Sequence, residues 1–211
     1  MKTQFNVPTR DEVSAGNQAI FDQLKGVLGM VPNLYATMAY SDHALGNYLA
    51  LQNAKTSLSK KEKEVINLVV SQVNNCRYCL AAHTVLGKIN GLTEAQTIEI
   101  RQGSATFDPR LDALVNFVKA VAEKRGRIDD VVLDRFFAAG YTKGGLIDVV
   151  VAIADKVVMN YIHNITDIPV DFPAAPDQGG NAGQRSGTTR FFGRLSEDLS
   201  DHGLQGEKPT K

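Results

Sequence analysis

Read for its apolar and polar positions, the chain is a succession of short helical patterns, each bracketed by residues that start or stop helices. Residues 11–28 read as a helix stopped near Gly29 and Pro32, and a short helix follows over 32–40. Ser41 stands as the N-cap of a helix over 42–56. Ser59 and Glu62 have the spacing of a capping box, which opens a helix over 60–73. Asn74 and Asn75 interrupt the pattern, and Asn75 is the expected cap of a helix over 76–89, ended by Asn90 and Gly91. Thr93 and Gln96 form a second capping box, and Gly103 stops the helix it opens. Asp108 and Pro109 place a cap and an N1 proline before a helix over 109–125, closed by Gly126. Asp129 opens a helix to residue 139, ended by Gly140.

The longest pattern, 143–165 behind Thr142, contains GLIDVVVAIADKVVMNYI and is apolar on most sides, as in a buried helix. Its valines suit a strand, but its length decides for a helix, because strands run to about 4–8 residues. There is no hairpin alternation and no βαβ alternation, so the expected fold class is all-α. From Pro173 the composition turns polar and rich in Gly and Pro, in PAAPDQGGNAGQRSGTTR. The expected organisation is therefore one domain over 1–172 and a flexible tail over 173–211. Phe191, Phe192, Leu195 and Leu199 break the tail's polarity and fit one face of a short helix, docked loosely or on a neighbouring subunit.

Composition narrows the function. With 211 residues and 43% hydrophobic content the chain can bury a sizeable core. Lys+Arg and Asp+Glu are equal at 23 each, so nothing global favours nucleic acid or a membrane surface. No apolar run approaches the roughly 20 residues that span a bilayer. The opening MKTQFNVPTRDEV has no apolar signal region, so a cytoplasmic location is expected. The two cysteines cannot make a disulfide framework. In a reducing compartment a close Cys pair points to catalysis or metal binding instead.

Those two cysteines lie in NNCRYCLAAHT, with a histidine four positions past the second. On a helix begun at Cys76, the side chains of Cys76, Cys79 and His83 fall within about 60° of arc and share a face. Both cysteines sit in the first turn, where unpaired N–H groups and the positive helix end favour a thiolate. One sulfur can attack an oxidant and the other resolve the product as a disulfide. His83 is the candidate proton acceptor, directly or through water. Glu64 is the candidate carboxylate that orients it. Glu62 is accounted for by its capping box, whereas Glu64 borders the apolar stripe of Val65, Leu68 and Val69, where a carboxylate is costly unless paired. Along one straight helix Glu64 and Cys76 would lie about 18 Å apart, so they meet only if the chain reverses at Asn74 and Asn75.

Together these residues read Glu-x11-Cys-x2-Cys-x3-His, from Glu64 through Cys76 and Cys79 to His83. The pattern resembles the signature of the AhpD-like alkylhydroperoxidases of the carboxymuconolactone decarboxylase superfamily. The surrounding LSKKEKEVINLVVSQVNNCRYCLAAH is similar to the family core over 58–90, and GMVPNLYATMAYSDHALGNYLALQ to the segment before it in the peroxidase-related branch. The resemblance spans 10–172 and not the tail. It implies an all-α fold, a homotrimer or homohexamer, and paired cysteines that reduce peroxides and cycle through a disulfide, with no bound organic cofactor and no metal. By that resemblance Cys79 attacks the peroxide, Cys76 resolves, and Glu64 and His83 form the proton relay. The implied partners are a hydroperoxide, organic by preference, and a dithiol reductant such as a lipoyl-bearing protein or a thioredoxin-like donor. Well-known members carry a second histidine directly before the second cysteine; here that position is Tyr78, preceded by Arg77.

Other readings compete. Cys76, Cys79 and His83 could instead ligate zinc, with Glu64 or water as the fourth ligand, although structural zinc sites usually join two separated pairs and the chain has no second Cys pair. A thioredoxin-like centre needs a strand before the Cys pair, and none is visible. The lactone decarboxylase branch shares the fold but typically lacks the cysteine pair, and the cysteines of a binding protein would simply be buried. His43 reads as exposed, His202 as a tail residue, and His163 as a satisfied histidine near a helix end, or a pocket residue if that helix packs by the cysteines. Asp148 and Asp155 read as buried salt bridges or subunit contacts, and Met30 and Met38 as core.

Overall fold

The structure is a computed structural model and describes residues 4–178. Its described regular structure is helical, so the all-α expectation holds. The described chain divides into two compact units, one built from residues 7–55 and the other from residues 4–6 and 56–178.

The first unit carries a 3₁₀ turn at Arg10–Glu12 and helices α1 (Ala15–Leu28), α2 (Asn33–Met38) and α3 (Ala44–Gln52). The helix expected over 11–28 is thus two pieces. Ser14 adopts an extended conformation and its side chain caps α1 by accepting from the Asn17 N–H, which separates the pieces. Asn17 is buried and donates to the carbonyls of Ala39 and Ser41 at 3.0 and 3.1 Å, tying α1 to the end of α2. His43 is the residue at the N-cap of α3, while the Ser41 hydroxyl accepts from the Ala44 N–H at 3.2 Å.

The second unit contains α4 (Lys60–Val73), α5 (Arg77–Ile89), α6 (Glu94–Gln102), α7 (Pro109–Lys124), α8 (Asp130–Ala138) and α9 (Lys143–Thr166). Helix α4 is its axis and packs against α5, α6, α7 and α9. The reason is its apolar stripe: Val65, Ile66, Leu68, Val69 and Val70 are all buried, in one cluster with Ile100, Leu114, Phe117, Val118 and Val149. Phe136 is stacked between Phe117 and Tyr141, with ring centroids 4.2 and 4.4 Å away. The Ser59–Glu62 capping box forms as the sequence predicts, and Arg110 reaches Glu62 at 3.2 Å. At Gly87 an added Cβ would stand 3.3 Å from Leu92, so α5 and the start of α6 approach closely there.

Two expectations need correction. The cap of α5 is Cys76, not Asn75. Asn75 takes the left-handed conformation, φ 51°, and closes α4. The Cys76 N–H donates to the Ser71 carbonyl at 2.9 Å and the Asn75 N–H to Gln72 at 3.1 Å. This is a Schellman ending, in which the left-handed residue turns the chain and satisfies the last carbonyls. The second correction concerns α9. It is not buried all round: Ile147, Val150, Val151, Val158, Tyr161 and Ile165 are exposed, while Val149, Ile153, Met159 and His163 face inward. Among the described residues, no helix is long and apolar enough to cross a membrane.

Of the expected tail, residues 173–178 are described and hold no helix. The carbonyls of Pro176 and Gln178 accept from Arg101 and Gln102 of α6, at 2.7 and 3.0 Å. Residues 179–211, with the apolar segment 191–200, lie outside the described residues.

Candidate functional site

The turn between α4 and α5 builds the site. Because α4 ends on Asn75, Cys76 becomes at once the last residue of the Schellman turn and the first of the next helix. Its sulfur occupies the N-cap position and accepts from the Cys79 N–H at 3.4 Å. Cys79 lies one turn inside. Both sulfurs are reduced, and Cys76 and Cys79 are only 0% and 2% exposed.

The reversal also folds α5 back along α4. Glu64 Oε2 and His83 Nδ1 stand 2.8 Å apart, and both side chains are buried. With Glu64 ionised, Nδ1 carries the proton in this bond, and Nε2 remains for proton exchange. The carboxylate thus has the partner its buried position requires.

Helix α9 supplies what the motif does not contain. Lys156, Asn160 and His163 recur at helical spacing on its inward face, and all three are buried. Asn160 donates to the Ser71 hydroxyl at 3.2 Å and accepts from the Asn74 amide at 3.0 Å. Asn164 donates to the Asn74 carbonyl at 2.8 Å. The side chain of Asn160 also acts on both cysteines and favours the thiolate at each. So α9 is riveted to the turn that carries the thiols.

The two thiols are driven apart electrostatically. A hydrogen bond from the Cys76 side chain favours the Cys79 thiolate most. Burial opposes it, and the charges of Lys156 and His83 and the Asn160 amide add to it, so that Cys79 is pulled down to about 6. Cys76 is pushed up, by that same bond to Cys79, by burial and by the neighbouring negative charge. The site therefore has one acidic thiol and one that keeps its proton.

The remaining residues fall as follows. Tyr78 is buried in the first turn of α5 and packs its ring against His163 (5.3 Å) and edge-on against Phe172 (5.6 Å). His163 is not a satisfied histidine: both ring nitrogens are buried without a hydrogen-bond partner among the described residues. Arg77 points away to an exposed ion pair with Asp167 at 2.5 Å. Asp148 accepts from the backbone and hydroxyl of Ser57 at 2.7 and 2.5 Å and forms no salt bridge among the described residues. Asp155 has one buried oxygen without a partner among the described residues. No group of three or more His, Cys, Asp or Glu side chains is placed to hold a metal among the described residues.

Sequence reasoning missed Lys156, Asn160 and Ser71. A signal for the first existed: Lys156 is the one lysine within the mostly apolar GLIDVVVAIADKVVMNYI and shares its helical face with Asn160 and His163. What could not be read was which helix that face meets.

Comparison with known proteins agrees with this architecture. Residues 40–123 match the model of the carboxymuconolactone decarboxylase family. The fold is similar to the alkylhydroperoxidase AhpD core of an uncharacterized peroxidase-related protein from Ralstonia eutropha JMP134, at 20% identity and TM-score 0.69, covering 78% of this chain and 90% of that one. It is also similar to an uncharacterized peroxidase-related protein from Silicibacter sp. TM1040, at 23% identity and TM-score 0.70, covering 79% and 90%. A third likeness is to the debrominase Bmp8 in complex with 2,3,4-tribromopyrrole, at 16% identity and TM-score 0.66, covering 81% and 93%. At these identities the likeness establishes the fold. Sequence comparison with curated proteins gives no significant match. The match over residues 40–123 makes the chain similar to the carboxymuconolactone decarboxylase family over that stretch, and the solved structures give it an AhpD-like helical fold.

Proposed function

We propose that the protein is a dithiol-dependent hydroperoxide reductase. One of its fold neighbours is a debrominase, so the fold alone does not choose the chemistry, and the side chains must. The observation that carries the reading is geometric: two free, buried thiols share the first turn of α5, with the Cys79 N–H donating to the Cys76 sulfur at 3.4 Å, and the buried Glu64–His83 pair, 2.8 Å apart, lies on the same two helices.

In the first step the Cys79 thiolate attacks the terminal oxygen of ROOH. The O–O bond breaks, Cys79 becomes a sulfenic acid, and the alkoxide leaves as ROH with a proton delivered through His83. In the second step Cys76 attacks the Cys79 sulfur. Its proton and the sulfenic hydroxyl leave as water, and an intramolecular disulfide remains. An external dithiol then reduces that disulfide. The sum is ROOH plus a dithiol giving ROH, water and a disulfide. Glu64 orients His83 and compensates its positive charge when it is protonated. The apolar helix faces around the pair suit an organic hydroperoxide. The reductant belongs to the dithiol class, lipoyl-bearing or thioredoxin-like, and the role is antioxidant defence in the cytoplasm by a homotrimer or homohexamer.

The test is a thiol count. Reduced protein receives one equivalent of cumene hydroperoxide, and free thiols are followed by intact mass and by a thiol reagent, with Cys76→Ser and Cys79→Ser alongside. Loss of both thiols in the wild type and a trapped sulfenic acid in Cys76→Ser are expected. A sulfenic acid in Cys79→Ser would exchange the two roles. Thiols that stay reduced would sink the peroxidase reading.

A further inference from the structure

Cys76 has a requirement that the residues assigned so far do not meet. Its side chain is 0% exposed, so bulk water does not touch it. Its thiol is pushed up, first by the bond to Cys79 and then by burial, and keeps its proton. Disulfide exchange needs the attacking sulfur as a thiolate. The Cys76 proton must therefore pass to a base inside the protein when Cys76 attacks the sulfur of Cys79. His83 is already engaged elsewhere: its Nδ1 stands 2.8 Å from Glu64, and its charge acts on Cys79.

Helix α9 holds a second buried imidazole. His163 is 2% exposed, and neither of its ring nitrogens has a hydrogen-bond partner among the described residues. A buried polar atom left unpaired destabilises a fold, so a Leu or Phe would fill this space at lower free energy if packing were all it did. The ring lies on the α9 face that carries Asn160, three residues earlier, whose side chain acts on both thiols. It packs 5.3 Å from the ring of Tyr78, the residue directly before Cys79. Asn164, the next residue in α9, donates to the Asn74 carbonyl at 2.8 Å and fixes this part of the helix on the turn that carries Cys76. The imidazole is thus held beside the first turn of α5, with one nitrogen able to accept a proton and the other able to give one.

We propose that His163 is the general base of Cys76: it takes the thiol proton, directly or through one water, as the Cys76 sulfur attacks the sulfur of Cys79. The S–H bond of Cys76 breaks, and its proton goes to a ring nitrogen of His163. The S–S bond forms, and the group on Cys79 leaves with the electron pair of its bond to sulfur. Where that group is the hydroxide of a sulfenic acid, His163 passes a proton on to it and water results. The inference rests on the reading of Cys79 as the attacking thiol and Cys76 as the resolving one. Its test uses no peroxide, so the base and the peroxidase reading can fail separately.

The reduced full-length protein is mixed with 4,4′-dithiodipyridine, a small disulfide that releases a chromophore. One thiopyridone leaves when Cys79 is modified, and a second when Cys76 displaces the reagent from Cys79. The wild type is compared with His163→Phe, His163→Ala and Cys76→Ser, with thermal melting to show that each is folded. In Cys76→Ser only the first release is expected. In His163→Phe the first rate should stay within about twofold while the second falls about tenfold or more, since a general base contributes roughly 10²–10⁴-fold. In His163→Ala, added imidazole should restore the second rate, and pyrazole, of the same shape but far less basic, should not. An unchanged second rate in folded His163→Phe would overturn the proposal. So would equal slowing of both phases, equal effects of imidazole and pyrazole, or a wild type with no second release. Should His163→Phe not fold, the imidazole and pyrazole comparison on His163→Ala decides. Thiols that pass this test but stay reduced under cumene hydroperoxide would remove the peroxidase reading and leave the base assignment intact.

Discussion

A buried ammonium is costly unless an anion stands near it. Lys156 is 2% exposed, and its charge acts on Cys79. Lysine and thiolate thus stabilise one another, and the lysine belongs to the thiol chemistry although it lies far from the motif in sequence. The sign follows directly. Cys79 is depressed to about 6, so its thiolate is present above that pH and is lost as the pH falls through it. Alkylation of Cys79 by a small reagent, mapped by mass, is expected to rise through that pH in the wild type. In Lys156→Met the midpoint is expected to move upward by about one pH unit or more, because a neighbouring opposite charge shifts a pKa by roughly 1–3 units. An unmoved midpoint would remove Lys156 from the site.

Between elements, the decisive feature is the way α4 ends. A non-glycine residue in the left-handed conformation is strained by about 1–2 kcal/mol, with asparagine among the residues that tolerate it best. Asn75 holds that conformation, and its turn puts Cys76 at the cap of α5. Asn75→Val is expected to destabilise the protein by about 1–2 kcal/mol, read from the urea midpoint, whereas Asn75→Gly should stay close to the wild type. The same argument explains a misreading of the sequence. Asparagine is a good N-cap and also a good left-handed C-terminal residue. Between two adjacent helices both roles are open to it, and only the backbone decides which helix it serves.

For the whole molecule, the lack of net charge sets how strongly copies of the chain repel one another. The formal charge is zero at pH 7, so that repulsion is least there. Static light scattering at low ionic strength is expected to peak near neutrality and to fall on either side. A flat profile would show that net charge does not govern how the copies meet.

Much of this protein is written locally, and what is local was legible. Capping boxes at Ser59 and Thr93, the Asp108–Pro109 start and the glycine stops depend on hydrogen bonds within a few residues, so the sequence alone determined where most helices lie. The thiol pair and His83 are legible for the same reason, since two successive helix turns set them on one face. Even Glu64 could be nominated, because a carboxylate beside an apolar stripe needs a partner. The surroundings of the thiols were decided only by tertiary structure. Lys156 and Asn160 meet the cysteines because α9 packs on α4, and the sequence of α9 is apolar on both faces. A helix so patterned does not declare which face turns inward. Packing settled that, and in doing so set one polar row against the thiols and left the other face bare.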